Sequence, residues 1–162
     1  MIEIREVAPD EYEAVADLTL ISYVGGGHVD AHSPYTVTLK DTAGRAEKAT
    51  VLVAEKDGTL LGSVTIAEPG SPYADVAGPG ELEFRMLAVS TDVRRQGVGS
   101  ALVRHVVDVA YERGDHAVVI STQSDMEDAR RIYERNGFVV DPERSWEPVP
   151  GLELTVLVRE LA

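Results

Sequence analysis

Apolar and charged residues alternate from Ile2 to Val7, the period of two that gives a strand one buried face. Pro9, Asp10 and Glu11 follow with acidic groups suited to a helix start. A helix is predicted from there to about Tyr23, where Gly25, Gly26 and Gly27 break it. Residues 28–35 read as loop and about 36–46 as a second, weaker helix. Residues 51–55 and 60–67 read as strands joined through Lys56, Asp57 and Gly58, hence a hairpin. A Gly- and Pro-rich surface loop over 69–80 leads to a strand over 81–89. From Val98 an amphipathic helix runs to about Arg113, with Val98, Ala101, Leu102, Val106, Val109 and Ala110 on one stripe and Gly114 at its end. Residues 117–121 form a continuous Val/Ile run, a strand buried on both faces. A helix over 124–136 opens with Ser124 and Glu127 at capping-box spacing, and Gly137 suits the left-handed residue after it. Two closing strands are predicted over 138–140 and 152–158, with a proline-rich loop between them. The order of elements gives a mixed sheet with helices on its faces.

The 162 residues suit one domain with a real core, and no apolar run approaches the ~20 residues of a membrane-spanning helix. Residues 1–15 lack a basic region followed by an apolar stretch, so they do not read as a signal peptide, and a cytoplasmic setting is the default expectation. The absence of cysteine excludes disulfides, thiolate metal sites and a cysteine nucleophile. A net charge of −13 should repel nucleic acid and anionic membranes. That acidity either helps to draw in a cationic substrate or only aids solubility.

The most informative segment runs from Leu87 to Ser100. A strand ends at Val89, a basic loop follows, and glycines open a helix. N–H groups in a first helical turn have no internal partner, and the helix dipole adds partial positive charge, so this is an anion site suited to a pyrophosphate. Gly97 and Gly99 let the backbone approach phosphates closely, and Arg94 and Arg95 can add charge-assisted hydrogen bonds. No GxxxxGK[ST] sequence is present, and the run Gly97-Val98-Gly99-Ser100-Ala101-Leu102 lacks the third glycine of the dinucleotide fingerprint.

Arg94-Arg95-Gln96-Gly97-Val98-Gly99 resembles the Q/R-x-x-G-x-G/A coenzyme A loop of the GNAT superfamily of N-acetyltransferases, and Leu87-Ala88-Val89 resembles the strand end that precedes it. The segment from Ala129 through Tyr133 to Gly137 and Phe138 is similar to the A-x-x-x-Y-x-x-x-G-F segment of the same superfamily. The resemblance implies an α/β fold with a mixed, mostly antiparallel twisted sheet of about seven strands and about four helices, as one domain over residues 1–162. It implies acetyl-CoA as co-substrate, no metal, and a primary amine as acceptor: a small molecule, a peptide N-terminus or a lysine. The amine would attack the thioester directly. A domain that holds acyl-CoA without turnover is the alternative, and a homodimer is common in the superfamily.

By the same resemblance the coenzyme is bound by Leu87, Ala88, Val89, Arg94, Arg95, Gln96, Gly97, Val98, Gly99 and Ser100. A bulge in the strand end frees backbone groups for the pantetheine arm, with the N–H of Leu87 or Val89 as a candidate oxyanion donor. Tyr133 matches the tyrosine that often acts as general acid; a core role beside Ala129 and Ile132 is the other reading. Glu83, six residues before Val89, is the candidate base, or else one half of an ion pair with Arg85 on the same strand face. His28 and His32 lie in the loop that usually shapes the acceptor pocket, where each is a candidate base or a surface residue. Met126 stands where many members carry a coenzyme-contacting Asn; Ser124 or Arg130 could replace that contact. Trp146 could line the acceptor pocket, cap the core or meet a second subunit.

Overall fold

A computed structural model describes residues 1–93, 96–123 and 125–161. The strands are β1 (Glu3–Glu6), β2 (Thr50–Lys56), β3 (Thr59–Ala67), β4 (Glu81–Val89), β5 (Ala117–Gln123), β6 (Val139–Val140), β7 (Trp146–Val149) and β8 (Leu152–Glu160). The helices are α1 (Tyr12–Tyr23), α2 (Tyr35–Lys40), α3 (Thr42–Lys48), α4 (Val98–Arg113) and α5 (Glu127–Arg135). One sheet runs in the order β1-β2-β3-β4-β5-β8-β6, and β7 also pairs with β8. Every pairing is antiparallel except β4 with β5.

Alternation along β2 divides the interior. Leu52 and Ala54 join the large cluster with Leu102, Val106 and Ala110 of α4, whereas Val51 and Val53 join Val15 of α1. The sheet is thus covered on both faces, which explains why the start of β5 reads as a continuous Val/Ile run. Phe84 of β4 lies edge-on to Tyr133 of α5 and Phe138, with ring centroids 5.4 Å and 5.8 Å away.

The parallel pair makes the opening that matters. β4 and β5 are in register only at Glu81–Glu83 against Ala117–Val119, and beyond those positions β5 continues against β8 alone. A cleft therefore widens between the strand ends, towards the start of α4 on one side and α5 on the other.

Three boundaries differ from the sequence-based expectation. The weak helix over 36–46 is two helices, because Asp41 leaves helical geometry and its carboxylate accepts the Gly44 N–H at 3.0 Å to cap α3. Buried Arg45 then donates to the carbonyls of Thr38 and Leu39, satisfying the end of α2. The proline-rich loop contains β7, whose Trp146 and Val149 face Leu154 and Leu152 with an irregular register between them. Pro148 is tolerated because β7 lies on the outer side of β8. Finally, α5 starts at Glu127 with Met126 as its cap residue. Ser124, expected to cap it, lies outside the described residues.

Candidate active site

A cavity of about 940 Å³ occupies the cleft. Its wall takes Leu87 and Val89 from β4, residues 97–100 from the start of α4, Ile132 and Tyr133 from α5, and Tyr23 from α1. Most of the residues expected to hold a coenzyme are therefore brought together. Ala88 is buried and does not line the cavity, and Gln96 is exposed just before α4, its N–H donating to the Val93 carbonyl at 3.2 Å. Arg94 and Arg95 lie outside the described residues.

The start of α4 is built to leave donors free. Gly97 has φ +82°, a left-handed conformation that favours glycine, and turns the chain into the helix. Its carbonyl accepts the first helical bond, from Ala101 N–H at 2.9 Å. The N–H groups of Val98, Gly99 and Ser100 have no acceptor among the described residues. Gly99 serves a further purpose that its motif position did not reveal. A Cβ there would stand 2.7 Å from Cδ1 of Ile132, so the missing side chain lets α4 and α5 close together. Asn136 strengthens that junction, its Nδ2 reaching Ser100 Oγ at 3.3 Å and the Ile132 carbonyl at 2.7 Å.

The expected bulge is present in β4. Ser63 faces Ala88 and Thr65 faces Arg85, so Val64 is opposed by both Met86 and Leu87. Met86 carries the extra bend with φ +57°, uncommon for a residue with a side chain. Tyr23 stands beside it, a wall residue that the sequence marked only as the end of a helix. Burial and the neighbouring Tyr35 push the Tyr23 phenol above its ordinary range, while Arg85, Arg45 and the Met86 backbone pull the other way.

Tyr133 is almost fully buried, and its hydroxyl has no hydrogen-bond partner among the described residues. Burial, with a smaller contribution from Tyr23, raises its pKa above that of an ordinary phenol. The hydroxyl is therefore a proton-bearing donor at neutral pH, in an apolar wall shared with Leu87.

Glu83 stands apart from the cavity wall. Its Oε1 accepts N–H bonds from Val76 at 2.8 Å and Ala77 at 3.0 Å, holding the loop before β4. Burial raises its pKa, and these backbone donors oppose the rise. The suggested Glu83–Arg85 pair is not formed. Arg85 instead meets Asp75 at 3.3 Å and the Tyr35 hydroxyl at 2.8 Å. Glu81 takes a bidentate contact from Arg144, at 2.9 Å to each oxygen, which holds its pKa down.

The remaining candidates separate. His28 lines the cavity, whereas exposed His32 does not. Met126 is in the wall, and Arg130 turns to Glu134 at 3.7 Å. Trp146 donates from Nε1 to Ser121 Oγ at 3.2 Å, so it packs against the sheet and not into the cavity.

The model of the acetyltransferase (GNAT) family matches residues 11–138. A protein named probable N-acetyltransferase camello, from Xenopus tropicalis, is 36% identical over 93 residues, covering 57% of this chain and 40% of that protein. Mycothiol acetyltransferase from Cellulomonas flavigena is 37% identical over 95 residues, covering 57% of this chain and 27% of that enzyme. The chain thus spans well under half the length of these curated relatives. Among solved structures, an acetyltransferase of the GNAT family from Staphylococcus aureus Mu50 superposes with a TM-score of 0.77 over 100% of both chains at 14% identity. The protein yncA of Salmonella typhimurium, solved with its cofactor acetyl-CoA, gives 0.73 over 100% of this chain and 95% of that one at 20% identity. These structural likenesses establish the fold.

Proposed function

The chain belongs to the acetyltransferase (GNAT) family, and from that premise we propose that it transfers an acetyl group from acetyl-CoA to a primary amine. The acceptor classes are a small molecule, a peptide N-terminus or a lysine. The observation that carries this proposal is the set of N–H groups at Val98, Gly99 and Ser100 with no acceptor among the described residues, opening on a cavity that also reaches the β4 bulge and Tyr133.

These residues fit the co-substrate. The donors at the start of α4 suit its pyrophosphate, and the charges of Arg94 and Arg95, just before them in the sequence, would add to that attraction. The irregular end of β4, over Leu87, Ala88 and Val89, offers backbone groups to the amide-bearing arm, and the N–H of Leu87 or Val89 is the proposed donor to the acyl oxygen. When bound, acetyl-CoA supplies a thioester that an unprotonated amine can attack. Tyr133 is proposed to give its phenol proton to the departing sulfur. Its apolar surroundings keep that proton in place until a buried negative charge develops beside it. Glu83 is proposed chiefly as an anchor for the loop over 75–78, because two backbone donors already occupy Oε1. No metal enters this scheme. A cytoplasmic setting and a homodimer belong to the same proposal, and light scattering of the purified protein reads the second directly.

The test is amine-dependent release of thiol from acetyl-CoA, with a panel drawn from the three acceptor classes. Tyr133→Phe should lower kcat about 100-fold or more while leaving coenzyme affinity nearly unchanged. Equal turnover in that variant would remove Tyr133 from the chemistry.

A further inference from the structure

His28, in the loop after α1, and Asp125, in the turn before α5, meet at the cavity wall. Nδ1 of His28 lies 3.1 Å from Oδ2 of Asp125. The carboxylate stands off the N–H axis, so buried Nδ1 has no linear hydrogen bond, and a small turn of the half-exposed Asp125 side chain would supply one. Gln123 ties the two residues together. With its amide turned so that nitrogen faces them, it donates to the His28 carbonyl and to Asp125 Oδ1, each at 3.3 Å. The opposite edge of the imidazole lies over Gly26, where a Cβ would stand 3.1 Å from Cδ2 and 3.2 Å from Nε2. Nε2 has no partner among the described residues, and the ring shares its cavity with Leu87 and Tyr133.

We propose that His28 is the general base that takes a proton from the acceptor's ammonium group, with Asp125 as the positioning residue that orients its ring. The proposal rests on acetyl transfer to an amine. A carboxylate beside Nδ1 favours the tautomer with hydrogen on Nδ1 and a lone pair on Nε2. The ammonium gives one proton to Nε2, leaving a neutral amine and an imidazolium whose charge Asp125 offsets. The amine nitrogen then bonds the acyl carbon while the carbon–sulfur bond breaks. Tyr133 protonates the sulfur, and the second proton shed by the new amide restores the phenol. The proton on His28 returns to water.

Among the described residues, the other titratable and charged groups around this cavity are Tyr23 from α1 and Glu127, Asp128, Arg131, Tyr133 and Arg135 from α5. Asp128 lies 3.4 Å from Arg131, and Asp125 lies 3.1 Å from Nδ1 of the ring.

The test combines kcat/KM against pH with an NMR titration of the His28 ring, in wild type, His28→Gln and Asp125→Asn. The wild type should lose kcat/KM on the acid side at the pKa that NMR reads for His28. His28→Gln should bind acetyl-CoA normally, lose about 100-fold in kcat and lose that acid limb. Asp125→Asn should bind acetyl-CoA normally, lower kcat and move the ring nitrogen chemical shifts away from the Nδ1–H tautomer. An unchanged rate and limb in His28→Gln, or an unchanged kcat and ring tautomer in Asp125→Asn, would overturn the proposal. If the wild type binds acetyl-CoA but releases no thiol with any amine, acetyl transfer fails first and the role of His28 with it.

Discussion

What a buried carboxylate can do depends on what already occupies its lone pairs. Glu83 has the expected position on the strand that leads to the bulge, but the N–H groups of Val76 and Ala77 converge on its Oε1. The carbonyl of a glutamine could accept both bonds. Glu83→Gln should therefore keep its melting temperature within a few degrees and retain most of its kcat; a collapse of kcat in a folded variant would make Glu83 the base. The strand position of Glu83 was legible in the alternation of β4. The loop that folds over it was not, because no local pattern says which carboxylate a Gly- and Pro-rich segment will close upon. Likewise His28 could be read as a titratable loop residue, but its neighbour Asp125 is distant in sequence and is brought to it only by the tertiary fold.

At the scale of elements, the helix Val98–Arg113 and the strand Glu81–Val89 were legible to the residue, because strong periodicity, an opening glycine and a closing glycine all agree. The break at Asp41 and the strand β7 were not. The first depends on one side chain capping a helix, and the second on the edge of β8 offered by a distant segment. The junction of α4 and α5 adds a requirement that the coenzyme motif alone did not express. Gly99→Ala should destabilise by about 1 kcal/mol, since the added methyl meets the movable end of Ile132. That cost should shrink in an Ile132→Val background, which lacks Cδ1. Additive losses in the double-mutant cycle would show that Ile132 is not what Gly99 accommodates.

For the whole molecule, one parallel pair inside an otherwise antiparallel sheet creates the cleft, and both faces of that sheet are held by separate apolar clusters. The first strand is fastened at the far end of the sheet by Arg5, which contacts both Glu11 and Glu55. Its guanidinium pulls the Glu11 pKa down to about 2 from the ordinary 4.5, against an opposing desolvation effect. A depressed carboxyl pKa stabilises the fold above its unfolded value and loses that stabilisation as pH falls through the folded one. The melting temperature should thus decline between about pH 4.5 and 2. It should decline less steeply in Glu11→Gln, and matching slopes would remove this pair from the acid response. The mixed sheet, the two-faced core and the glycine turn into α4 were foreseeable from the order of elements and the motif residues. The proposed acceptor face was not, since it is assembled from α1, its following loop and the turn before α5. The most direct measurement is a calorimetric titration of the wild-type protein with acetyl-CoA. Saturable binding of one equivalent is expected from the donors at Val98, Gly99 and Ser100, and no binding at millimolar coenzyme would contradict the assignment of that turn and the acetyl transfer built on it.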